Sequence, residues 1–205
     1  MDYSNTVNAL LLNESAKHQI YPTNRYNSQI GTTFVELMIV ITIIVIVTGL
    51  SIPSFANLMA RNKVTTQANT VFESLYLARS TAITQQKNVQ ICHMSKPNSL
   101  ECNQQRDFNT VWSNGWLIFA DVNGDNEYDE DDNLIKVVDA SDHTNIVFNQ
   151  QGRLRFFPDG SARSAGFYIC DQQQIDYRHI YLLYSGRARI SQSLTEKQRA
   201  ICDAV

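Results

Sequence analysis

From Phe34 to Leu50 the chain reads FVELMIVITIIVIVTGL, and its apolar character carries on through Ile52 and Phe55 with a single charge inside it, Glu36. About 20 apolar residues of helix cross a hydrocarbon core, so this run is long enough to span one. A secretory signal has an apolar core of only about 7 to 15 residues, closed by a small-residue cut. Here the run is longer and passes into helix-compatible sequence, so the segment is expected to stay attached. Glu36 adds a second condition, because a carboxylate inside a membrane helix costs roughly 2.5 kcal/mol or more without a partner. The next basic residue after it is Arg61. Either the side chain stays hydrated near the interface or a cation reaches it from another molecule.

At 205 residues, the chain has room for one ordinary domain behind such an anchor. Its formal net charge of -3 gives no bulk reason to expect a nucleic-acid binder, so any such activity has to be local. The four cysteines form two sequence-local pairs, Cys92 with Cys102 and Cys170 with Cys202, without the CxxC spacing of a structural zinc site. Two disulfides are expected, in keeping with an exported domain in an oxidising compartment.

Past Pro53, which is expected to kink or interrupt the helix, Val64, Ala68, Val71, Phe72, Leu75, Ala78, Ala82 and Ile83 recur at three- and four-residue spacing. This predicts an amphipathic helix to about Gln86 whose apolar stripe covers a sheet. After Lys87 come short β-prone runs at 88–92, 115–120, 133–138, 145–148, 153–156, 166–170, 179–184 and 188–191. Turn clusters separate them, among them Asn123-Gly124-Asp125, Pro158-Asp159-Gly160 and Ser185-Gly186. A long helix followed by strands is an α+β order, with antiparallel sheets packed on the helix.

Candidate chemistry is sparse. Asp121, Asn123, Asp125, Glu127, Asp129 and Asp132 occupy the first, third, fifth, seventh, ninth and twelfth places of an acidic segment, the ligand spacing of a calcium loop. The glycine, however, stands fourth instead of sixth, the last acid is Asp, and no helix pattern flanks the loop. A solvated acidic turn with no metal is the expectation. The four histidines show no paired-ligand spacing, Ser185 lacks the context of a nucleophile elbow, and Asp142-His143 reads as a turn. No enzyme, cofactor or small-molecule substrate is expected. From Gly152 onward, by contrast, Arg153, Arg155, Arg163, Arg178, Arg187, Arg189, Lys197 and Arg199 outnumber the acids. In an extended strand, residues 187 and 189 point to one face, so both guanidiniums can meet one phosphate backbone, with Gly186 allowing the turn before them.

Two strings carry a resemblance. Gly31-Thr32-Thr33-Phe34-Val35-Glu36-Leu37-Met38 resembles the prepilin cleavage site of type IV pilins and type II secretion pseudopilins. The resemblance implies a peptidase cut after Gly31, methylation of the new amine on Thr32, and pairing of Glu36 with the terminal amine of a neighbouring subunit. The family usually has Phe where this chain has Thr32, and its leaders are shorter and more basic than residues 1–31. Gly186-Arg187-Ala188-Arg189 resembles the GRxR element of FimT-type minor pilins, which contributes to binding DNA taken up in natural transformation. The stretch from Trp112 to Asp121 is similar to the central hairpin of the GspH/FimT class.

The resemblance implies a leader at 1–31, a transmembrane segment at 32–55 and a periplasmic pilin-like domain at 56–205. Its expected partners are other pilins in a filament, the prepilin peptidase, the inner membrane and non-specific DNA. Arg187 and Arg189 would contact the DNA, with Arg178, Lys197 and Arg199 as helpers. The alternative is a GspH-like pseudopilin or assembly-priming pilin without DNA binding. Mass spectrometry of protein from its native membrane is expected to find an N-terminus at Thr32 carrying one methyl group. An intact leader, or a start well beyond the apolar run, would overturn the assignment.

Overall fold

The computed structural model describes residues 31–204 except 106, 140, 142, 143, 174 and 175, and omits the side chains of 50–54. The chain divides into a unit up to Val45 and a larger one from Ile46 onward. Helix α1 covers Phe34–Gln85. Its N-terminus is capped by Thr33, whose Oγ1 accepts the backbone N–H of Glu36 at 3.2 Å. The acidic Glu36 in the first turn suits the positive end of the helix dipole. Position 53 is helical, so the proline expected to interrupt the helix does not end it. Among the described residues no helix is long and apolar enough to cross a membrane. The expected segment 32–55 includes the side chains of 50–54, which lie outside the described residues, as do residues 1–30 of the expected leader.

In the larger unit the strands are β1 (Asn88–His93), β2 (Thr110–Val111), β3 (Trp116–Asp121), β4 (Asn133–Val138), β5 (Thr144–Phe148), β6 (Leu154–Phe156), β7 (Ala165–Asp171), β8 (Tyr177–Leu182) and β9 (Ala188–Ser191). A short helix α2 (Glu196–Asp203) follows. The strands form two antiparallel sheets, β4-β3-β1-β6 and β2-β5-β7-β8-β9. The fold is therefore α+β, a long helix with antiparallel sheets, as the order of sequence patterns implies.

The apolar stripe of α1 joins the inner faces of both sheets. Val64, Ala68, Val71, Leu75, Ala78 and Ala82 are buried with Val89, Ile91, Ile118, Ile146, Ile169 and Ile180. Alanines at three of these positions let the helix approach closely. Trp116 on β3 joins the same core, and its indole N–H donates to Ser74 Oγ of α1 at 3.0 Å, so neither buried polar group is orphaned there. Trp112 stands against Phe148 (4.8 Å) and Phe167 (5.2 Å), tying the segment before β3 to the five-stranded sheet.

Each sheet also has an outer cluster held by a disulfide. Cys92–Cys102 lies with Met94, Leu117, Phe119 and Tyr128 outside the first sheet. Cys170–Cys202 ties α2 to β7 beside Val147, Tyr168 and Leu194 outside the second. Both pairings are those expected from sequence. Helix α2 and strand β2 were not expected. The Thr195-x-x-Gln198 string marks the start of α2, and Gln198 Oε1 accepts the Thr195 N–H at 2.9 Å. Strand β2 is only two residues long and is defined by its partner β5.

Two histidines are buried in these layers. His93 stacks on Trp112 at 5.6 Å, and its pKa is lowered to about 4 by burial and then by the charge of Arg153. His179 lies between Tyr168 and Tyr181 and is lowered to about 4 by burial. A folded-state pKa below the unfolded value means that their contribution to stability is complete above pH 6.5 and is lost as the pH falls toward 4. Urea midpoints measured between pH 7 and 5 should fall, each histidine contributing at most about 1.4 kcal/mol per pH unit. A His179→Gln variant should show a shallower decline.

Candidate nucleic-acid interface

The GRxR string sits at the last hairpin. Leu183 N–H donates to the Arg187 carbonyl at 3.0 Å and Gly186 N–H to the Leu183 carbonyl at 2.9 Å, closing a tight turn between β8 and β9. Gly186 holds φ +72°, the left-handed conformation such a turn needs. It also has a packing role. A Cβ there would lie 1.9 Å from the Gly160 carbonyl oxygen and 2.8 Å from Arg79 Nε. The same Arg79 Nε donates to Gly160 O at 3.0 Å, so α1, the Pro158-Asp159-Gly160 turn and the 186 turn meet at one point.

Beyond the turn, Arg187 and Arg189 are both exposed. Ala188 between them packs on the core, and its neighbours are thereby turned away from it. Arg189 lies across from Tyr181 on β8. The Tyr181 hydroxyl accepts from Gln198 Nε2 of α2 at 3.4 Å, and that helix carries Lys197 and Arg199, both exposed. Arg189, Tyr181 and α2 thus share the outer side of the five-stranded sheet. Tyr184, at the turn, is 71% exposed. Beside the hairpin, a cavity of about 250 Å³ lies between Phe72, Tyr76 and Arg79 of α1 and residues 186–189.

Arg178 does not belong to this free set. Its Nη1 meets both oxygens of Asp176 at 2.8 and 2.7 Å, and its Nη2 donates to Thr65 Oγ1. The acid two residues earlier pairs with Arg178, which was expected to help hold DNA. Arg153 is likewise committed to Glu127 at 2.8 Å, an arginine pairing with the acidic turn. Among the described residues, neither Arg187 nor Arg189 forms an ion pair. Sequence reading missed the contribution of α1: Tyr76 is 68% exposed beside the motif, and only the folding of the helix across the hairpin brings it there. Of the histidines, His18 and His143 lie outside the described residues, as does the expected Asp142-His143 turn.

Residues 67–186, more than half of the chain, match the family described as type II transport protein GspH. The chain belongs to the GspH family. The structure is similar to the type IV minor pilin FimU of Pseudomonas aeruginosa, at 16% identity and TM-score 0.48 over 64% of this chain and 90% of that one. It is also similar to the minor pseudopilin EpsH from the Type 2 Secretion System of Vibrio cholerae, at 11% identity and TM-score 0.44 over 63% and 97%. No curated protein matches the sequence. The GspH-family match ends at Gly186, so the basic strand β9 and helix α2 lie beyond it.

The contact at Gly186 gives a direct test. Gly186→Ala must both hold a left-handed backbone and move the 160 turn, and is expected to lower stability by at least about 2 kcal/mol in chemical denaturation. Ser185→Ala, one residue away and exposed, should stay within about 0.5 kcal/mol of the parent.

Proposed function

We propose that this protein is a minor pilin, anchored in the bacterial inner membrane and incorporated into a type IV pilus, which binds DNA non-specifically for uptake. The observation that carries the DNA reading is the pair of exposed guanidiniums of Arg187 and Arg189. They flank a core-facing alanine on an edge strand and lack any carboxylate partner among the described residues. Arginine forks suit phosphate oxygens, and phosphate contacts hold a duplex without reading its bases. Lys197 and Arg199 on α2 would extend the patch, and Tyr181 and Tyr184 offer rings to unstacked bases. Anchoring rests on the apolar run and on the Gly31-to-Glu36 string, which supports cleavage after Gly31, methylation of Thr32, and use of Glu36 in assembly with neighbouring subunits. The protein would act as a filament subunit, with the prepilin peptidase as its processing partner and without catalysis of its own.

One observation favours a second reading: the family description names type II transport. In that case the chain is a pseudopilin of a secretion machine, and β9 is only an exposed edge blunted by charge.

Fluorescence anisotropy of the full chain in detergent micelles with labelled duplex DNA separates the two. The DNA reading expects a Kd of about 10⁻⁶ to 10⁻⁴ M that weakens steeply with salt. The Arg187→Gln, Arg189→Gln double variant should bind at least about tenfold more weakly, with a salt slope shallower by about 2. Equal binding by parent and variant would overturn the DNA reading and leave a pseudopilin or an assembly-priming pilin without DNA binding. Arg178→Gln should leave DNA affinity unchanged.

A further inference from the structure

Between β3 and β4 the chain runs through eleven residues rich in acids, and the fold draws its two ends together. Asp121 closes β3 and is 5% exposed, while Asp132 stands immediately before β4 and is 9% exposed. With Asp125 from the loop, they each present a carboxylate oxygen, and these atoms lie within 4.8 Å of one another. Ligands at calcium–oxygen distances of about 2.4 Å around one ion are at most about 4.8 Å apart, so a single cation can touch all three.

The hydrogen bonds show which oxygens are already used. Asp121 accepts Gly124 N–H at 2.8 Å and Gln90 Nε2 at 2.6 Å. Asp132 Oδ1 accepts Val122 N–H at 2.8 Å, but its Oδ2 is buried with no donor. A buried carboxylate oxygen without a donor, beside two further carboxylates, is an arrangement that water-facing acidic turns do not produce. Glu127 is not part of this group, because Arg153 and Gln104 take its oxygens at 2.8 and 2.6 Å.

The structure assigns a calcium-binding site to the β3–β4 loop, with Asp121, Asp125 and Asp132 as its carboxylate ligands. Asn123 holds the loop in shape: its Nδ2 donates to Asp125 Oδ2 at 3.2 Å and to Asp129 Oδ2 at 3.1 Å, and its Oδ1 accepts the Asp125 N–H at 3.1 Å. The first, fifth and twelfth places of the loop then supply the ligands. The seventh, Glu127, is turned outward, which leaves its backbone carbonyl for the role that place has in calcium loops. The glycine that the sequence lacks at the sixth place is replaced in conformation by Asn126, which holds φ +70°. Calcium suits the site better than magnesium, because three carboxylates gathered by the β3–β4 connection form no octahedral cage. This inference does not depend on DNA binding or on which filament the protein joins.

The test uses the full chain in detergent micelles after dialysis against EDTA, with terbium emission sensitised by the loop residue Tyr128 and with thermal unfolding. Terbium should bind and be displaced by calcium with a Kd of about 10⁻⁴ to 10⁻³ M, the range of extracellular calcium modules, and far less by equal magnesium. Millimolar calcium should raise the melting temperature. Asp132→Asn and the exposed Asp125→Asn should each weaken calcium at least tenfold, while Asp131→Asn, outside the cluster, should not. Should Asp132→Asn fail to fold, Asp125→Asn carries the comparison. Equal melting in calcium, magnesium and EDTA, or identical terbium titrations for Asp125→Asn and Asp131→Asn, would overturn the assignment.

Discussion

The burial of one helical stripe underlies nearly everything in this domain. Val64, Ala68, Val71, Leu75, Ala78 and Ala82 pack in one core with residues of both sheets. Burying a Val or Leu side chain stabilises by about 1.5–3 kcal/mol, so a stripe of this length supplies a large share of the stability of a small domain. The Trp116–Ser74 hydrogen bond adds direction to that burial, because it is satisfied only in one rotational setting of helix against sheet. Tyr76 reaches the cavity beside Arg187 as a consequence of that setting, and Arg79 reaches the Gly160 carbonyl.

The outer faces follow a different rule. There the apolar clusters are small, and each is closed by a disulfide, Cys92–Cys102 on one sheet and Cys170–Cys202 on the other. The second cross-link joins residues 32 apart and would narrow the unfolded ensemble considerably. It also has a local consequence for the proposed interface. Without Cys202 held to β7, the helix carrying Lys197 and Arg199 would have little apolar surface to keep it beside β8, since Cys202 is its only buried side chain.

The acidic loop meets part of the arginine set, and the rest stands apart from it. The acids concentrate between β3 and β4, where Glu127 neutralises Arg153, and the remaining carboxylates crowd one another. Arg187 and Arg189 lie at the β8–β9 hairpin, beside an edge strand of the other sheet, and form no ion pair among the described residues. The small net charge of the whole chain conceals both patches.

Periodicity determined the long helix, its buried face and most strands, because hydrophobic spacing is a local property that burial reads directly. Cysteine spacing likewise announced both disulfides. Helix α2 was legible in its capping string but is short and polar, and its one buried residue is a cysteine. Strand β2 carries no signal of its own, since two residues gain strand character only from a partner. At the candidate sites the limit is the same. The sequence presents Arg153 and Arg189 as equals, and only the fold sets Glu127 against the first while leaving the second without an ion pair among the described residues. The acidic loop reads as a solvated turn until the hairpin brings Asp121 and Asp132 together and buries an oxygen without a donor. Which charges are paired depends on distances across strands, and chain order does not contain those distances until the core has formed.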